Sequence, residues 1–228
     1  MSKLLIPAAL IGLALGAGSA APAQAGTAAA AETAPTPLDR FLERVHTLRV
    51  GFHQTLTDAH GALLSRSAGS LLVQRPGKFR WDIRPIANGA GPTGAGQLMV
   101  CDGRNLWFYD RDLGQVTVQP VGAGLSATPA MLLSGTVDVR AHFTERSAGR
   151  REGLEWVYVE PRQAAAADFR SALFGFRNGT LEQMILEDTL GQVATITFEH
   201  IEINVPLAPS ALTFTVPAGA DVIGTPVR

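Results

Sequence analysis

The sequence predicts a mainly β fold with some α, built as one antiparallel sheet covered on one face by helices. Three observations carry this reading. Short apolar-alternating runs, separated by Gly, Asn and Asp turns, fill most of residues 50–216. They follow one another in hairpin order. One amphipathic helix precedes them, and one short apolar segment at 126–134 interrupts them.

The helix comes first. Thr36 is placed to cap it and Pro37 suits its first position. Leu38, Phe41, Leu42, Val45 and Leu48 then recur at helical spacing as one apolar stripe. Val50, Phe52 and Leu56 alternate along the first strand, and a second run ends in Leu71-Leu72-Val73-Gln74.

The most informative stretch is 74–84. Phe79, Trp81 and Ile83 alternate with Lys78, Arg80, Asp82 and Arg84, so the aromatics share one strand face and the charges the other. A Gly-rich loop occupies 87–96. Residues 97–101 and 106–109 flank Asp102-Gly103 as a hairpin. Residues 115–119 alternate cleanly, and Leu154, Trp156 and Tyr158 share a face. Runs at 168–176 and 181–187 flank Asn178-Gly179, a type I′ hairpin signal. Strands at 193–198, 201–205 and 212–216 complete the set. Within 126–134, Ser126 or Thr128 serves as cap, Pro129 falls in the first turn, and Met131, Leu132 and Leu133 are apolar.

Residues 1–25 read as a secretory signal peptide. Lys3 gives a positive start, an apolar run covers 4–15, and Ala23-Gln24-Ala25 is a small-x-small cleavage site. The run is short for a membrane anchor. An Ala-rich tail at 26–36 is expected to be disordered, and 37–228 to form a single domain.

Nineteen Lys+Arg stand against 20 Asp+Glu without a basic block, which argues against nucleic acid as a partner. No later segment has the length and apolarity of a membrane helix, so the protein is expected not to be membrane-embedded. Cys101 is the single cysteine, which precludes an intramolecular disulfide.

Reaction chemistry is missing from the pattern. His46, His53 and His60 are spaced by seven, but Gly51 and the alternation around it break any shared helix, and no paired Cys or acidic cluster joins them. There is no G-x-S-x-G nucleophile elbow, and the 89–96 glycines lack the Lys-Ser/Thr of a phosphate loop. Asp102 and Asp110 sit at hairpin ends, where Asp is ordinary turn chemistry. The expectation is a protein with no catalytic residues, no metal and no cofactor.

Two readings of the apolar residues remain open. Phe79, Trp81, Trp107, Phe174 and Met184 fit a packed core and an apolar cavity equally. Arg75 either holds backbone carbonyls of an element lying over the sheet or stands exposed at a strand edge.

Several motifs, in order, bear a family resemblance. Phe52-His53-Gln54 follows the first helix. Arg75-Pro76-Gly77-Lys78-Phe79-Arg80-Trp81 matches an RPxxFxW pattern. Asp102-Gly103 with Leu106-Trp107-Phe108-Tyr109 matches DGxxLWxY, and residues 115–118 follow. Thr128-Pro129-Ala130-Met131-Leu132-Leu133 matches a short helix, and residues 212–219 an FxFxxPxG ending whose first aromatic is here Leu212. The chain resembles the LolA family of periplasmic lipoprotein carriers from about residue 38 to 223.

The resemblance implies an open antiparallel half-barrel whose concave face is closed by helices. It implies a chaperone that takes triacylated lipoproteins from the inner-membrane transporter LolCDE and passes them to the outer-membrane receptor LolB, acting as a monomer. Arg75 would hold the lid. Phe79, Trp81, Trp107, Phe174 and Met184 would line the acyl-chain cavity. Leu42, Val45 and Leu48 would belong to the first lid helix, and Pro129, Leu132 and Leu133 to the second. LolB shares the fold but needs a Cys at its mature start, which this chain lacks. A carrier of another lipid or glycolipid on the same fold is the alternative.

Overall fold

In the computed structural model, the described residues are 34–87, 93–122, 128–136, 139–163 and 169–227. Residues 1–25, expected to be a signal peptide, most of the Ala-rich tail, Ser126 and the middle of the Gly-rich loop lie outside them.

Helix α1 (Pro37–Arg44) starts in a full capping box. The Thr36 hydroxyl accepts from the Asp39 N–H, and the Asp39 carboxylate accepts from the Thr36 N–H. It ends sooner than the apolar stripe suggests. Val45 is its C-cap, in extended geometry, and Leu48 already lies on β1 (Thr47–Thr57). The reason is pairing. Leu48 sits between Val73 and Ile203 of the neighbouring strands, and this ladder overrides a helical period of only three turns.

Strands β2 (Leu63–Gln74), β3 (Lys78–Pro85), β4 (Gln97–Asp102), β5 (Asn105–Asp110) and β6 (Gln115–Pro120) follow as hairpins. Helix α2 (Pro129–Ser134) then crosses over, followed by a single turn, α3 (Val139–His142). Strands β7 (Phe143–Arg151), β8 (Leu154–Pro161), β9 (Phe169–Arg177), β10 (Thr180–Asp188) and β11 (Val193–Ile203) complete the antiparallel part. β12 (Asp221–Ile223) adds on parallel to β6. The result is one open 12-stranded sheet in the order β12-β6-β5-β4-β3-β2-β1-β11-β10-β9-β8-β7. The mainly β, antiparallel, helix-covered prediction therefore holds, with one parallel edge strand added.

The strand expected at 212–216 is absent. Residues 209–212 form a 3₁₀ turn, and the chain then runs without ladder pairing to β12. Pro209 and Pro217 bracket this segment and remove ladder donors.

Two apolar clusters lie on opposite faces of the sheet. The larger joins Phe52, Leu71, Phe79, Trp81, Phe174, Phe176, Met184 and Ile196 to the helical residues Leu38, Phe41, Met131, Leu132 and Leu133. The smaller gathers Leu98, Val100, Trp107, Val116 and Val118 under Tyr109, Phe214 and Ala220. Alternation separates them, because Val100 pairs with Trp107 in register while the adjacent Cys101 pairs with both Phe79 and Leu106.

Candidate functional site

The helix-covered face is assembled from both halves of the sheet. Phe79 and Trp81 come from β3, next to Val73 and Leu71 of β2. Phe174 of β9 pairs directly with Met184 of β10 and with Val157 of β8. All four predicted lining residues on these strands are buried: Phe79 0%, Trp81 6%, Phe174 0% and Met184 0% exposed.

Over them lie α1 and α2. Leu38 and Phe41 point inward, and the Phe41 ring meets Phe176 at 5.6 Å. Met131, Leu132 and Leu133 are buried against β2 and β3. Leu42 is partly buried at the margin, whereas Val45 and Leu48 are buried from the cap and the strand rather than from a helix. Pro129 takes the first turn of α2, and Thr128 occupies the N-cap position without making a side-chain cap bond.

Trp107 is not part of this face. It packs in the opposite cluster against Phe214, 5.1 Å between centroids, and its indole N–H donates to Asp102 Oδ2 at 2.8 Å. The DGxxLW hairpin thus aims its Trp away from Phe79 and Trp81, since residues 107 and 79 lie on opposite sides of the pleat.

Arg75 lies in the β2–β3 turn, beneath the end of α2. Its backbone N–H donates to the His46 carbonyl at 2.8 Å, and the Gly77 N–H donates to the Ser134 carbonyl at 2.8 Å, tying α2 to the turn. Gly135 ends α2 with φ +70°; a Cβ there would meet the Arg75 guanidinium at 3.0 Å, so the glycine leaves room for the side chain. Arg75 Nη1 is buried and has no hydrogen-bond partner among the described residues, and burial pushes the guanidinium pKa down. A cavity of about 300 Å³ opens beside it, lined by Asp39, Leu42, Glu43, Arg75, Gly135, Val139 and Arg140.

One part of the site was not foreseen. Asp39 of α1 pairs with Arg140 of α3 at 3.1 Å, while the Thr36 hydroxyl donates to Glu145 Oε1 of β7. Burial, and then the Asp39 charge, push the Glu145 pKa up to about 7, with Arg140 acting against them. Burial also acts to raise Asp39, but the hydrogen bond and charge of Arg140, with the Thr36 N–H, hold it below the usual carboxylate range. These residues come from three elements up to 109 positions apart, and no local pattern announces them.

Among the described residues no group of three His, Cys, Asp or Glu could hold a metal ion, and no helix is long and apolar enough to cross a membrane. Cys101 is buried, its thiol donating to the Gly77 carbonyl at 3.0 Å, and burial raises its pKa.

The profile of the outer membrane lipoprotein carrier protein LolA matches residues 43–215. The chain belongs to the LolA family. That span contains Arg75, both β3 aromatics, α2 and the β9–β10 hairpin. The outer-membrane lipoprotein carrier protein of Methylobacillus flagellatus is 38% identical over 82% of this chain and 87% of its own length. The carrier of Chromobacterium violaceum is 36% identical over 94% and 95%. A solved structure of an uncharacterized conserved protein from Thermus thermophilus has the same fold, with a TM-score of 0.51 at 14% identity over 82% of this chain and 96% of that one. LolA-family members are lipoprotein carriers, transport proteins rather than enzymes.

Proposed function

We propose that the chain is a periplasmic chaperone that holds the acyl chains of triacylated lipoproteins between its sheet and helices α1 and α2. It would receive them from LolCDE at the inner membrane and yield them to LolB at the outer membrane, after export by a cleaved leader covering residues 1–25. The observation that carries this reading is the composition of the helix-covered face. Its sheet side is lined by Phe79, Trp81, Phe174 and Met184, and its roof is two short helices contributing Leu38, Phe41, Met131, Leu132 and Leu133.

A short amphipathic helix is a replaceable cover. Helices of eight and six residues have little stability of their own and depend on the face they cover. An acyl chain is chemically equivalent to the apolar side chains it displaces. Each methylene it buries contributes about 0.8 kcal/mol, so a permanently open cavity would hold cargo too tightly to deliver it. Closure by α1 and α2 competes with cargo and weakens the net grip. Arg75 would bias this competition; its position against Gly135 and beside the 300 Å³ cavity at the edge of α1 supports that role.

Release of lipoproteins from spheroplasts tests the proposal. The purified protein should bring a triacylated lipoprotein into the soluble fraction as a one-to-one complex. If nothing is released while acyl-chain probes still bind, the cargo is another lipid and the lipoprotein assignment is wrong.

A further inference from the structure

The chain has three tryptophans, all buried: Trp81 at 6%, Trp107 at 8% and Trp156 at 2% exposed. Two have satisfied indoles. Trp107 Nε1 donates to Asp102 Oδ2 at 2.8 Å, and Trp156 Nε1 donates to the Arg151 carbonyl at 3.3 Å. Trp81 Nε1 is equally buried and has no hydrogen-bond partner among the described residues.

An N–H withdrawn from water without an acceptor destabilises the fold, and Phe would supply nearly the same apolar ring without that cost. The neighbours do not relieve it. In register Trp81 lies between Leu71 of β2 and Met99 of β4, and its ring stands edge-on to Phe52 at 6.0 Å and 85°. These side chains offer no oxygen acceptor. The donor therefore sits within the apolar layer that α1 and α2 cover, on the face assigned to cargo.

We propose that Trp81 Nε1 is a polar anchor for the cargo linkage: once the helices withdraw, it donates a hydrogen bond to an acyl-ester carbonyl of the bound lipid. This deepens the lipoprotein-carrier reading and rests on it. A triacylated cysteine joins its chains through two glycerol esters and one amide, so carbonyl oxygens enter the cavity with the chains. Methylene contacts are non-directional and allow a chain to slide along its axis. One fixed donor sets the depth at which the chains stop. It also acts differentially, because the donor is unpaired in the closed protein and paired in the loaded one. Arg75 lies in the turn preceding β3, outside the Trp81 layer, so the anchor and the lid contact are separate positions.

The test uses the purified protein expressed from its full-length gene and two probes. One is a synthetic lipopeptide with an N-palmitoyl, S-dipalmitoylglyceryl cysteine. The other is its analogue with both glycerol esters replaced by ethers of equal chain length. Wild type should bind the ester form about tenfold more tightly, the worth of one buried hydrogen bond. W81F should bind both with the wild type's affinity for the ether form. In the ¹⁵N-labelled wild-type protein, the Trp81 indole N–H resonance should move downfield with the ester probe and not with the ether probe, a readout independent of whether W81F folds.

Equal wild-type affinity for the two probes, retention of the ester preference by W81F, or an unmoved indole resonance would each overturn the anchor while leaving the carrier reading in place. If wild type takes up neither lipopeptide, the carrier reading fails and takes the anchor with it.

Discussion

The two apolar clusters share strands β4 and β5 yet are finished in opposite ways. On the face away from the helices, Trp107 and Tyr109 lie under Phe214 of the C-terminal segment. Its polar atoms are closed off: the Trp107 N–H reaches Asp102, and the buried Asn105 side chain donates to the Val227 carbonyl at 2.9 Å and accepts from its N–H at 2.8 Å. On the helix-covered face and its lid, Trp81 Nε1, Arg75 Nη1 and the Thr128 hydroxyl are buried without partners among the described residues. Buried polar groups are ordinarily paired, so unpaired ones gathered on one face call for an explanation, and the proposed function supplies one: this face exchanges its cover for a ligand. On the proposed function, the first cluster holds the sheet and the second is the face whose cover gives way to cargo.

The largest effect should come from breaking the permanent side. Trp107→Ala should cost about 3–5 kcal/mol of stability, read from the urea midpoint, since it empties the centre of a small cluster. Lipoprotein release per folded molecule should stay at the wild-type level. A fall in release beyond the loss of folded protein would mean that both faces serve the cargo. Arg75→Leu should do the reverse. On the proposed lid role, it should still accept lipoprotein, but transfer to LolB should slow by about tenfold, because the group proposed to favour closure over cargo would be gone. Transfer at the wild-type rate would remove Arg75 from the lid.

The local geometry of both faces was largely legible in the sequence, but the contrast between them was not. Strict alternation at 78–84, the Asp102-Gly103 and Asn178-Gly179 turns and the cap at Thr36 each fix a local geometry, and each appears where expected. What failed were assignments that depend on a partner. Leu48 continues a helical period but is held by Val73 and Ile203. Trp107 looks equivalent to Trp81 until register places them on opposite faces, and parity of position in a multistrand sheet depends on every hairpin between them. Phe214 sits in an alternating run and yet packs from a segment without ladder pairing. The Thr36, Asp39, Arg140 and Glu145 group joins three elements that only the fold brings together.

That group gives the junction of α1, α3 and β7 a pH dependence. Glu145 has a folded pKa of about 7, above the ordinary carboxyl value. The folded state therefore holds this proton more tightly than the unfolded chain. The stabilisation is complete below the ordinary Glu range and is lost as pH rises through about 7. Asp39, held below its ordinary value, contributes in the opposite sense and only at more acidic pH. Stability should thus decline between about pH 5 and pH 8, and Glu145→Gln should flatten the decline. Parallel thermal-midpoint curves for the two proteins across that range would show that Glu145 ionises freely and leaves α1 unaffected.

The smallest expected change bears most directly on how Arg75 meets the lid. Gly135 has φ +70°, so Gly135→Ala should cost about 1 kcal/mol through the left-handed backbone alone. The added Cβ would also lie 3.0 Å from Arg75 Nη2 and 3.3 Å from Cζ, and must push the guanidinium aside. These two contributions separate in a double-mutant cycle. In the Arg75→Leu background only the backbone cost remains, so Gly135→Ala should be less destabilising there than in wild type. Identical costs in the two backgrounds would mean that the guanidinium does not rest on the end of α2 in solution. The tie between lid and sheet would then reduce to the Gly77 N–H on the Ser134 carbonyl, which no side-chain substitution removes.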